Sequence, residues 1–259
     1  MDKAKLKQQA HKKYGQMLFG YNPELAKLQG RKGKSRRTAS SDLDNKKYMS
    51  GSGLEWNTKK EHELYILLTR FIEGEYEHSD KVELAKKLKE LQKYKQFFPK
   101  VLTVPKKTLY RGSAVSETII NKFLPKFKKS NSNNHREEFY ADIIYKPKSP
   151  VQSWSLKMLV AYEFDGHSEY AVIFETKTDS SFVFSHNITQ HFAHGNYSYE
   201  NEVIRAGKAI ACKMWIDGDV LLNYIDDMSR WKQEELFNKN SLFKHYFEKD
   251  SYGDYNRIN

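Results

Sequence analysis

The 259-residue chain lacks the features that hold small secreted folds together or that carry a chain into a membrane. It has a single cysteine, Cys212, so no disulfide can form within the chain, and this usage is typical of a reducing compartment. No apolar run approaches the roughly 20 residues of a membrane span, and the N-terminus has no apolar segment of the signal-peptide kind. We therefore expect a soluble, cytoplasmic protein without a membrane partner.

Signatures of phosphate loops and metal sites are also missing. The chain contains no glycine-rich loop of the Walker or dinucleotide type, no Cys-x-x-Cys pair and no His-Glu-x-x-His. His186, His191 and His194 are close together in the sequence, but they lack the ligand spacing and the fourth ligand of a zinc site. We interpret them as loop residues and expect no metal.

Positive charge is concentrated at the N-terminus. The net charge is +11, and residues 1–50 hold 13 Lys/Arg against 4 Asp/Glu, whereas the rest of the chain holds 31 against 29. Residues 20–53 show no sustained hydrophobic period, and we predict a basic, largely disordered tail over residues 1–53. Such a tail either contacts nucleic acid or an acidic protein surface, or is only a solvated extension.

Residues 54–259 are expected to form one α+β domain in three parts. Leucines at helical spacing predict a helical part at 54–100, with one helix after a capping box from Thr58 to Glu61 and a second from about Asp80. Short apolar runs predict a β-rich core at 101–217, and the segment 218–259 is predicted to be helical. Predicted strands lie at 108–112, 151–155, 170–178, 200–204 and 208–216, with short helices at 117–124 and 156–164 and polar loops at 128–138 and 186–199.

Three short motifs lie where predicted strands begin or end: Tyr110-Arg111-Gly112, Ser153-Trp154-Ser155 and Glu200-Asn201-Glu202. Side chains two apart in a strand share a face, so the two serines point one way and the two glutamates of the third motif also point together. The tryptophan between the serines faces the opposite side and is expected to pack in the core. Each motif is common when taken alone, and their order along the chain is what carries information.

In this order the motifs resemble the arginine-serine-glutamate signature of mono-ADP-ribosyltransferases of the cholera-toxin and C2/C3-toxin type. That signature runs from an aromatic-Arg-Gly strand through a Ser-x-Ser strand to Glu/Gln-x-Glu. In the family a short helix with an alanine and a phenylalanine follows the serines, as Ala161 and Phe164 do here, and the resemblance covers roughly residues 80–217. It implies an ADP-ribosyltransferase-like catalytic domain with split antiparallel β-sheets and N-terminal helices.

The resemblance implies an enzyme that transfers ADP-ribose from NAD+ to arginine side chains of an acceptor protein and releases nicotinamide. NAD+ would be a substrate of this transferase. Intracellular enzymes of the same kind are common in tailed phages, and the Lys/Asn/Tyr-rich composition suits such a source. The acceptor would then be a host protein, modified in the host cytoplasm by an enzyme made there or carried in the virion.

For catalysis the resemblance implies four side chains whose chemistry fits the reaction. Positive charge develops on the ribose as the nicotinamide bond breaks, and Glu202 would stabilise that charge and hold a sugar hydroxyl. Ser153 would orient the carboxylate through a hydrogen bond. Arg111 would bind the pyrophosphate of NAD+ with its planar guanidinium. Glu200 would hold the incoming guanidinium of the acceptor and help to remove its proton.

The same resemblance places further residues at NAD+ or at the acceptor. Gly112 would let the backbone approach the ligand closely, and Ser155 would support the strand or the nicotinamide pocket. Tyr197 and Tyr199 lie in the loop that contacts the acceptor in such enzymes, where stacking on a guanidinium and simple loop packing are equally open. The expected NAD+-binding set is Tyr110, Arg111, Gly112, Ser153, Ser155, Phe164 and Glu202.

Two alternatives stay open. The acceptor could be a nucleic acid, because the basic tail would attract it. The chain could also be a non-catalytic nucleic-acid-binding or virion-internal protein. In that case it would bind DNA in a salt-sensitive way through residues 1–50 and would turn over no NAD+.

Overall fold

The structure is a computed structural model that describes residues 2–19, 59–98, 104, 107–130, 138–163, 170–178, 182–183 and 202–258. The chain divides into two compact units, each built from three stretches of sequence. The first, here named the helical unit, comprises Met1–Lys107, Pro147–Leu156 and Thr178–Lys208. The second, the sheet unit, comprises Thr108–Lys146, Lys157–Lys177 and Ala209–Asn259. These bounds differ from the expected break at residue 53, because strands from the middle of the chain pack with the N-terminal helices.

Three helices provide most of the core of the helical unit: α1 (Lys3–Phe19), α2 (Lys59–Glu73) and α3 (His78–Gln92). The leucines of α2 and α3 follow helical spacing and are buried together, as the sequence predicted. Helix α3 begins slightly before Asp80, because the Asp80 carboxylate accepts the backbone N–H of Glu77 at 3.3 Å and so closes the first turn. The buried leucines are Leu64, Leu67, Leu68, Leu84, Leu88 and Leu91.

Helix α1 lies inside the segment predicted to be largely disordered, so that prediction is wrong for residues 3–19. Ala10, Tyr14, Met17 and Leu18 are buried in one cluster with the leucines of α2 and α3. Lys12 and Lys13 lie within this apolar stripe, and three more lysines precede it in the helix, so its period is hard to recognise in the sequence. The helix bends at Tyr14, where φ is −138° and ψ is 41°. Residues 20–53, the rest of the predicted tail, lie outside the described residues.

Polar contacts fix α1 on the other two helices. Lys13 Nζ lies 2.6 Å from Glu90 Oε1, and Lys60 Nζ lies 2.9 Å from Glu90 Oε2. Partial burial raises the pKa of Glu90, but the hydrogen bonds from these two ammonium groups outweigh burial, and the net effect is a lowered pKa. Glu61 is fully buried and accepts the backbone N–H of Met17 at 2.9 Å, just after the bend in α1. Thr58, the other end of the predicted capping box, lies outside the described residues.

The strands and the remaining helices are numbered along the chain. The strands are β1 (Thr108–Ala114), β2 (Lys128–Lys129), β3 (Glu138–Tyr145), β4 (Val151–Ser155), β5 (Ala171–Lys177), β6 (Phe182–Val183), β7 (Glu202–Ala206), β8 (Ile210–Asp217), β9 (Phe247–Lys249) and β10 (Tyr255–Arg257). The helices are α4 (Glu117–Phe123), α5 (Met158–Glu163), α6 (Gly218–Asp226) and α7 (Arg230–Lys239).

In the helical unit, β7 pairs antiparallel with β4 on one side and with β6 on the other. Val151 of β4 lies opposite Ala206 of β7, and both are buried in the same cluster as the helices, together with Ile204. Side chains alternate between the two faces of a strand, so this face of the β4–β7 pair is the one that packs on the helices. The sequence predicted both strands but not their pairing.

In the sheet unit, five antiparallel strands are ordered β2–β3–β8–β5–β1. The prediction that residues 170–178 form a central strand is confirmed, because β5 is bonded to β8 and to β1. Strand β3 was not predicted. Its buried residues Phe139, Ala141 and Ile143 alternate with more exposed ones, which is the period of a half-buried strand.

The C-terminal part combines α6, α7 and the small antiparallel pair β9–β10. The prediction of helix is confirmed for α6 and α7, and the β9–β10 pair is an addition to it. Arg257 of β10 is tied to α6, since its Nη2 lies 2.5 Å from Asp219 Oδ1. Phe139 of β3 packs on Phe243 with ring centroids 5.6 Å apart, so this part covers one face of the five-stranded sheet.

The mixture of helices with antiparallel strands confirms the α+β class. The pairings β1–β5, β2–β3, β3–β8, β4–β7, β5–β8, β6–β7 and β9–β10 are all antiparallel. Among the described helices, none has the length and apolar character needed to cross a bilayer.

Candidate active site on the helical unit

The pairing of β4 with β7 places the two serines and one glutamate on a common face. Ser155 lies directly opposite Glu202, and Ser153 lies opposite Ile204, the next inward-facing residue of β7. Directly opposed residues of an antiparallel pair share a face, and so do their neighbours two residues away. Ser153 and Glu202 are therefore diagonal neighbours, close enough for short side chains to meet.

A hydrogen bond joins these diagonal neighbours: the Ser153 hydroxyl donates to Glu202 Oε1. Glu202 is only 9% exposed and Ser155 only 6%, while Ser153 is half-buried. A carboxylate withdrawn from water loses hydration and needs hydrogen-bond donors, and a serine hydroxyl supplies one without adding charge. The Ser153 hydroxyl thus supplies a hydrogen bond to the Glu202 carboxylate and brings no charge of its own.

Polar and apolar residues divide this face between them. Val151, Ile204 and Ala206 at one end are buried against α1, α2 and α3. Ser155 and Glu202 form the last pair of the β4–β7 ladder at the other end. The carboxylate therefore lies at the polar end of this face.

The opposite face of the β4–β7 pair holds a second polar group. Arg205 and Gln152 lie opposite each other and are 2% and 1% exposed. Arg205 Nη1 donates to Gln152 Oε1 at 3.4 Å, and Gln152 Nε2 donates to the backbone oxygens of Ser149 at 2.5 Å and Gly207 at 3.3 Å. A Cβ on Gly207 would come within 2.7 Å of the Arg205 guanidinium. This network ties the start of β4 to the end of β7 and thereby holds their register.

Sequence reasoning missed the Arg205–Gln152 network, because its recognition depends on the pairing of two strands about 50 residues apart. Its one signal in the sequence is a polar residue at the alternate position of each strand, Gln152 before Ser153 and Arg205 after Ile204. Trp154 shares the face of this network and is 1% exposed, which confirms the prediction that it packs in the core.

The arginine motif belongs to the sheet unit and lies on β1. Arg111 is half-buried and pairs with Phe174 of β5, and Gly112 is buried opposite Ile173. Tyr110 is half-buried opposite Glu175, and burial, followed by the charge of that carboxylate, raises the pKa of the Tyr110 hydroxyl. The phenol therefore stays protonated and able to donate a hydrogen bond at neutral pH.

Several predicted site residues lie outside the described residues, namely Glu200, Tyr197, Tyr199 and Phe164, and so do the loop histidines His186, His191 and His194. Ala161, the alanine of the helix motif, is buried in α5. In the ranges that the structure describes, no three His, Cys, Asp or Glu side chains are grouped as metal ligands would be.

The arrangement of Ser153 and Glu202 can stabilise a positive charge that develops in a ligand. A carboxylate in a partly dehydrated setting interacts more strongly with such a charge than it would in water. The same demand is met by carboxylates in glycoside hydrolysis, where the sugar also acquires oxocarbenium character. Comparisons of the chain with protein-family models, with curated proteins and with solved structures found no match.

Proposed function

We propose that the protein is an NAD-dependent mono-ADP-ribosyltransferase that modifies arginine side chains of an acceptor protein. The observation that carries the proposal is the hydrogen bond from Ser153 to the nearly buried carboxylate of Glu202. A serine that orients a glutamate from the neighbouring strand is the relation that the sequence resemblance implies. The antiparallel strands preceded by helices agree with an ADP-ribosyltransferase-like fold.

In the proposed reaction, the bond between nicotinamide and ribose C1 breaks and its electron pair leaves with nicotinamide. No general acid is required, because nicotinamide departs from a cationic state. Glu202 stabilises the positive charge left on the ribose and holds a sugar hydroxyl, while Ser153 keeps the carboxylate oriented. An arginine nitrogen then forms a bond to C1, and its proton passes to Glu200 or to solvent.

Arg111, Tyr110 and Gly112 enter the proposal through the sequence resemblance. A guanidinium binds a pyrophosphate through paired charge-assisted hydrogen bonds, which a lysine cannot reproduce. We therefore expect Arg111→Lys to raise the KM for NAD+ by about tenfold or more, the effect expected when one strong hydrogen bond to the ligand is lost. Glu202→Gln should instead lower kcat, since it removes a group used mainly in the transition state.

The direct test incubates the full chain with NAD+ labelled in its adenylate part and a bacterial lysate. We expect labelled macromolecules that are destroyed by protease and resist nuclease, and release of nicotinamide at the same time. If the labelled macromolecules are destroyed by nuclease and resist protease, the acceptor is a nucleic acid. If no macromolecule is labelled and no nicotinamide is released, the enzymatic proposal is wrong and the non-catalytic alternative is left.

The division of work between the two glutamates is tested by Glu200→Gln. We expect this variant to keep cleaving NAD+ to nicotinamide and ADP-ribose while transfer to arginine falls, because the enzyme loses the carboxylate that holds the acceptor guanidinium and keeps the one that acts on the ribose. Glu202→Gln should lose both reactions. Equal loss of both reactions in the two variants would contradict the assigned roles.

A further inference from the structure

The N-terminal half of α1 carries several positive charges that the packing of the helix does not use. Asp2, Lys3, Ala4, Lys5, Lys7, Gln8 and Gln9 are all exposed, and Leu6 is partly buried. The buried residues of α1 begin only at Ala10. We name residues 2–12 the lysine arm.

The charge of the lysine arm is of one sign. Residues 1–19 contain one acidic residue, Asp2, and its carboxylate accepts the backbone N–H of Ala4 at 3.1 Å as a cap of the helix. Lys13, the next lysine after the arm, is paired with Glu90. Lys3, Lys5, Lys7 and Lys12 form no ion pair with any residue that the structure describes. Four ammonium groups are thus presented to solvent on a capped helix.

The lysines stand on two opposite sides of the arm. A helix turns about 100° per residue, which puts Lys3 and Lys7 within about 40° of each other and Lys5 and Lys12 within about 20°. The two pairs are roughly 140–180° apart around the axis. All four precede the bend at Tyr14, so one straight helical segment carries them.

We propose that the lysine arm binds duplex DNA by entering the major groove. Phosphates line both walls of a groove, and lysines on two opposite sides of a helix can reach both walls at once. A helix with its side chains is about 10–12 Å wide, and the major groove of B-DNA is about 12 Å wide. Contacts of lysine with phosphate are independent of base sequence, so the binding is general rather than site-specific.

The same observations disfavour a membrane and an RNA duplex. A helix that lies on a membrane has its cations on one side and large apolar residues on the other, whereas Leu6 is the one large apolar residue of the arm and is partly buried within the protein. The major groove of an RNA duplex is too narrow and deep for a helix. This inference does not depend on the enzymatic proposal.

The test compares the full chain with a variant in which Lys3, Lys5, Lys7 and Lys12 are changed to Gln. Binding to a fluorescent DNA duplex of about two helical turns is measured by anisotropy over a range of salt concentrations. We expect at least tenfold weaker binding and a salt slope that falls by about 0.9 for each phosphate that the variant no longer neutralises. Residues 20–58 are the same in both proteins, so any DNA binding by that segment cancels.

A matched control removes four other exposed lysines, Lys107, Lys146, Lys148 and Lys208, which are also changed to Gln. This control reduces the net charge by the same amount, and we expect it to bind DNA much as the wild type does. If both variants bind DNA equally more weakly than the wild type, the loss of net charge alone explains the effect, and the proposal is wrong. Unchanged binding in the arm variant would overturn it as well.

Two further binding measurements, with an RNA duplex and with lipid vesicles, identify the partner. The RNA duplex of the same length should bind more weakly than the DNA, and its affinity should depend less on the four arm lysines. Loss of binding to vesicles with anionic lipid, with DNA binding unchanged, would assign the arm to a membrane and reject the proposal. NAD+ cleavage by the arm variant should equal that of the wild type, so the enzymatic proposal and this one can fail separately.

Discussion

The two faces of the β4–β7 pair both carry polar side chains, but the side chains of the two faces differ in their hydrogen-bond partners. On one face, Arg205 and Gln152 are almost completely buried and bonded to each other and to backbone oxygens. On the other face, Glu202 lies at the last pair of the ladder with the Ser153 hydroxyl as a donor. Arg205 and Gln152 link the two strands to each other, whereas Glu202 is the group that acts on a ligand in the proposed reaction.

This contrast predicts that changes on the two faces separate stability from activity. Changes at Ser153 or Glu202 should alter turnover more than folding. Changes around Arg205 should alter folding more than turnover per folded molecule, because that face supplies no group to the ligand in the proposed reaction.

The largest effect is expected from Glu202→Gln. Removing a charge that stabilises a transition state typically lowers kcat by about 10²–10³-fold, and the amide keeps the size of the side chain and its place on β7. Nicotinamide release under saturating NAD+ measures kcat, and urea unfolding measures stability. The matched control is Glu61→Gln, since Glu61 is another buried carboxylate of the same unit and an amide oxygen can still accept the Met17 N–H. Similar turnover in the two variants would remove Glu202 from the mechanism.

A smaller loss is expected from Ser153→Ala. The variant removes one hydrogen bond to a charged group, worth about 1.5–3 kcal/mol, so turnover should fall by roughly 10–100-fold. Ser113→Ala serves as the control, because that hydroxyl donates to the neighbouring backbone oxygen of Ala114 rather than to a carboxylate. If Ser153→Ala lowers the melting temperature while kcat stays unchanged, the serine is a structural residue of β4 and the contrast between the faces fails.

The sequence was sufficient to predict which residues share a face, but not which strands pair. Alternation within five residues is a local property, and it assigned the two serines to one face and Trp154 to the other. The contact between Ser153 and Glu202 depends on the register of strands 49 residues apart, which only the fold determines. The contact between Ser153 and Glu202 was predicted from the sequence through the resemblance to a known order of motifs.

Helix α1 was missed for a related reason. Its buried side chains are only four apolar ones in a lysine-rich helix, and their burial depends on α2 and α3, which begin 40 or more residues later in the chain. A short apolar stripe of this kind is weak evidence for a helix until the partner helices are known. Strand β3 carried a clear period of two, in contrast, and could have been predicted from its own residues.

On the face of the β4–β7 pair that carries Arg205 and Gln152, here named the closed face, Gly207→Ala should reduce stability with little effect on turnover. The added methyl group would approach the Arg205 guanidinium to 2.7 Å, and that side chain can withdraw only by weakening its bond to Gln152. Overpacking of this kind costs about 1–3 kcal/mol, to be measured by urea unfolding with kcat determined on the folded fraction. Lys208→Ala, at the exposed neighbouring position, is the control and should be neutral. A large fall in kcat with unchanged unfolding would show that the closed face also serves the reaction.

The smallest effect is expected from Glu90→Gln, which weakens the attachment of α1 to α2 and α3, the helices that pack on the apolar end of the β4–β7 pair. The folded-state pKa of Glu90 lies below its ordinary value of 4.5, so its ion pairs add stability above that pH, and this contribution disappears as the pH falls through the lowered value. Wild type should therefore lose more stability than Glu90→Gln between pH 7 and pH 3. At pH 7 the variant should be less stable by about 0.5–1 kcal/mol. Glu83→Gln on the same helix changes an exposed carboxylate, and its unfolding should follow the wild type more closely at both pH values. Identical pH dependence in wild type and Glu90→Gln would mean that the hydrophobic contacts of Tyr14 and Leu18 hold α1 without help from Lys13 and Lys60.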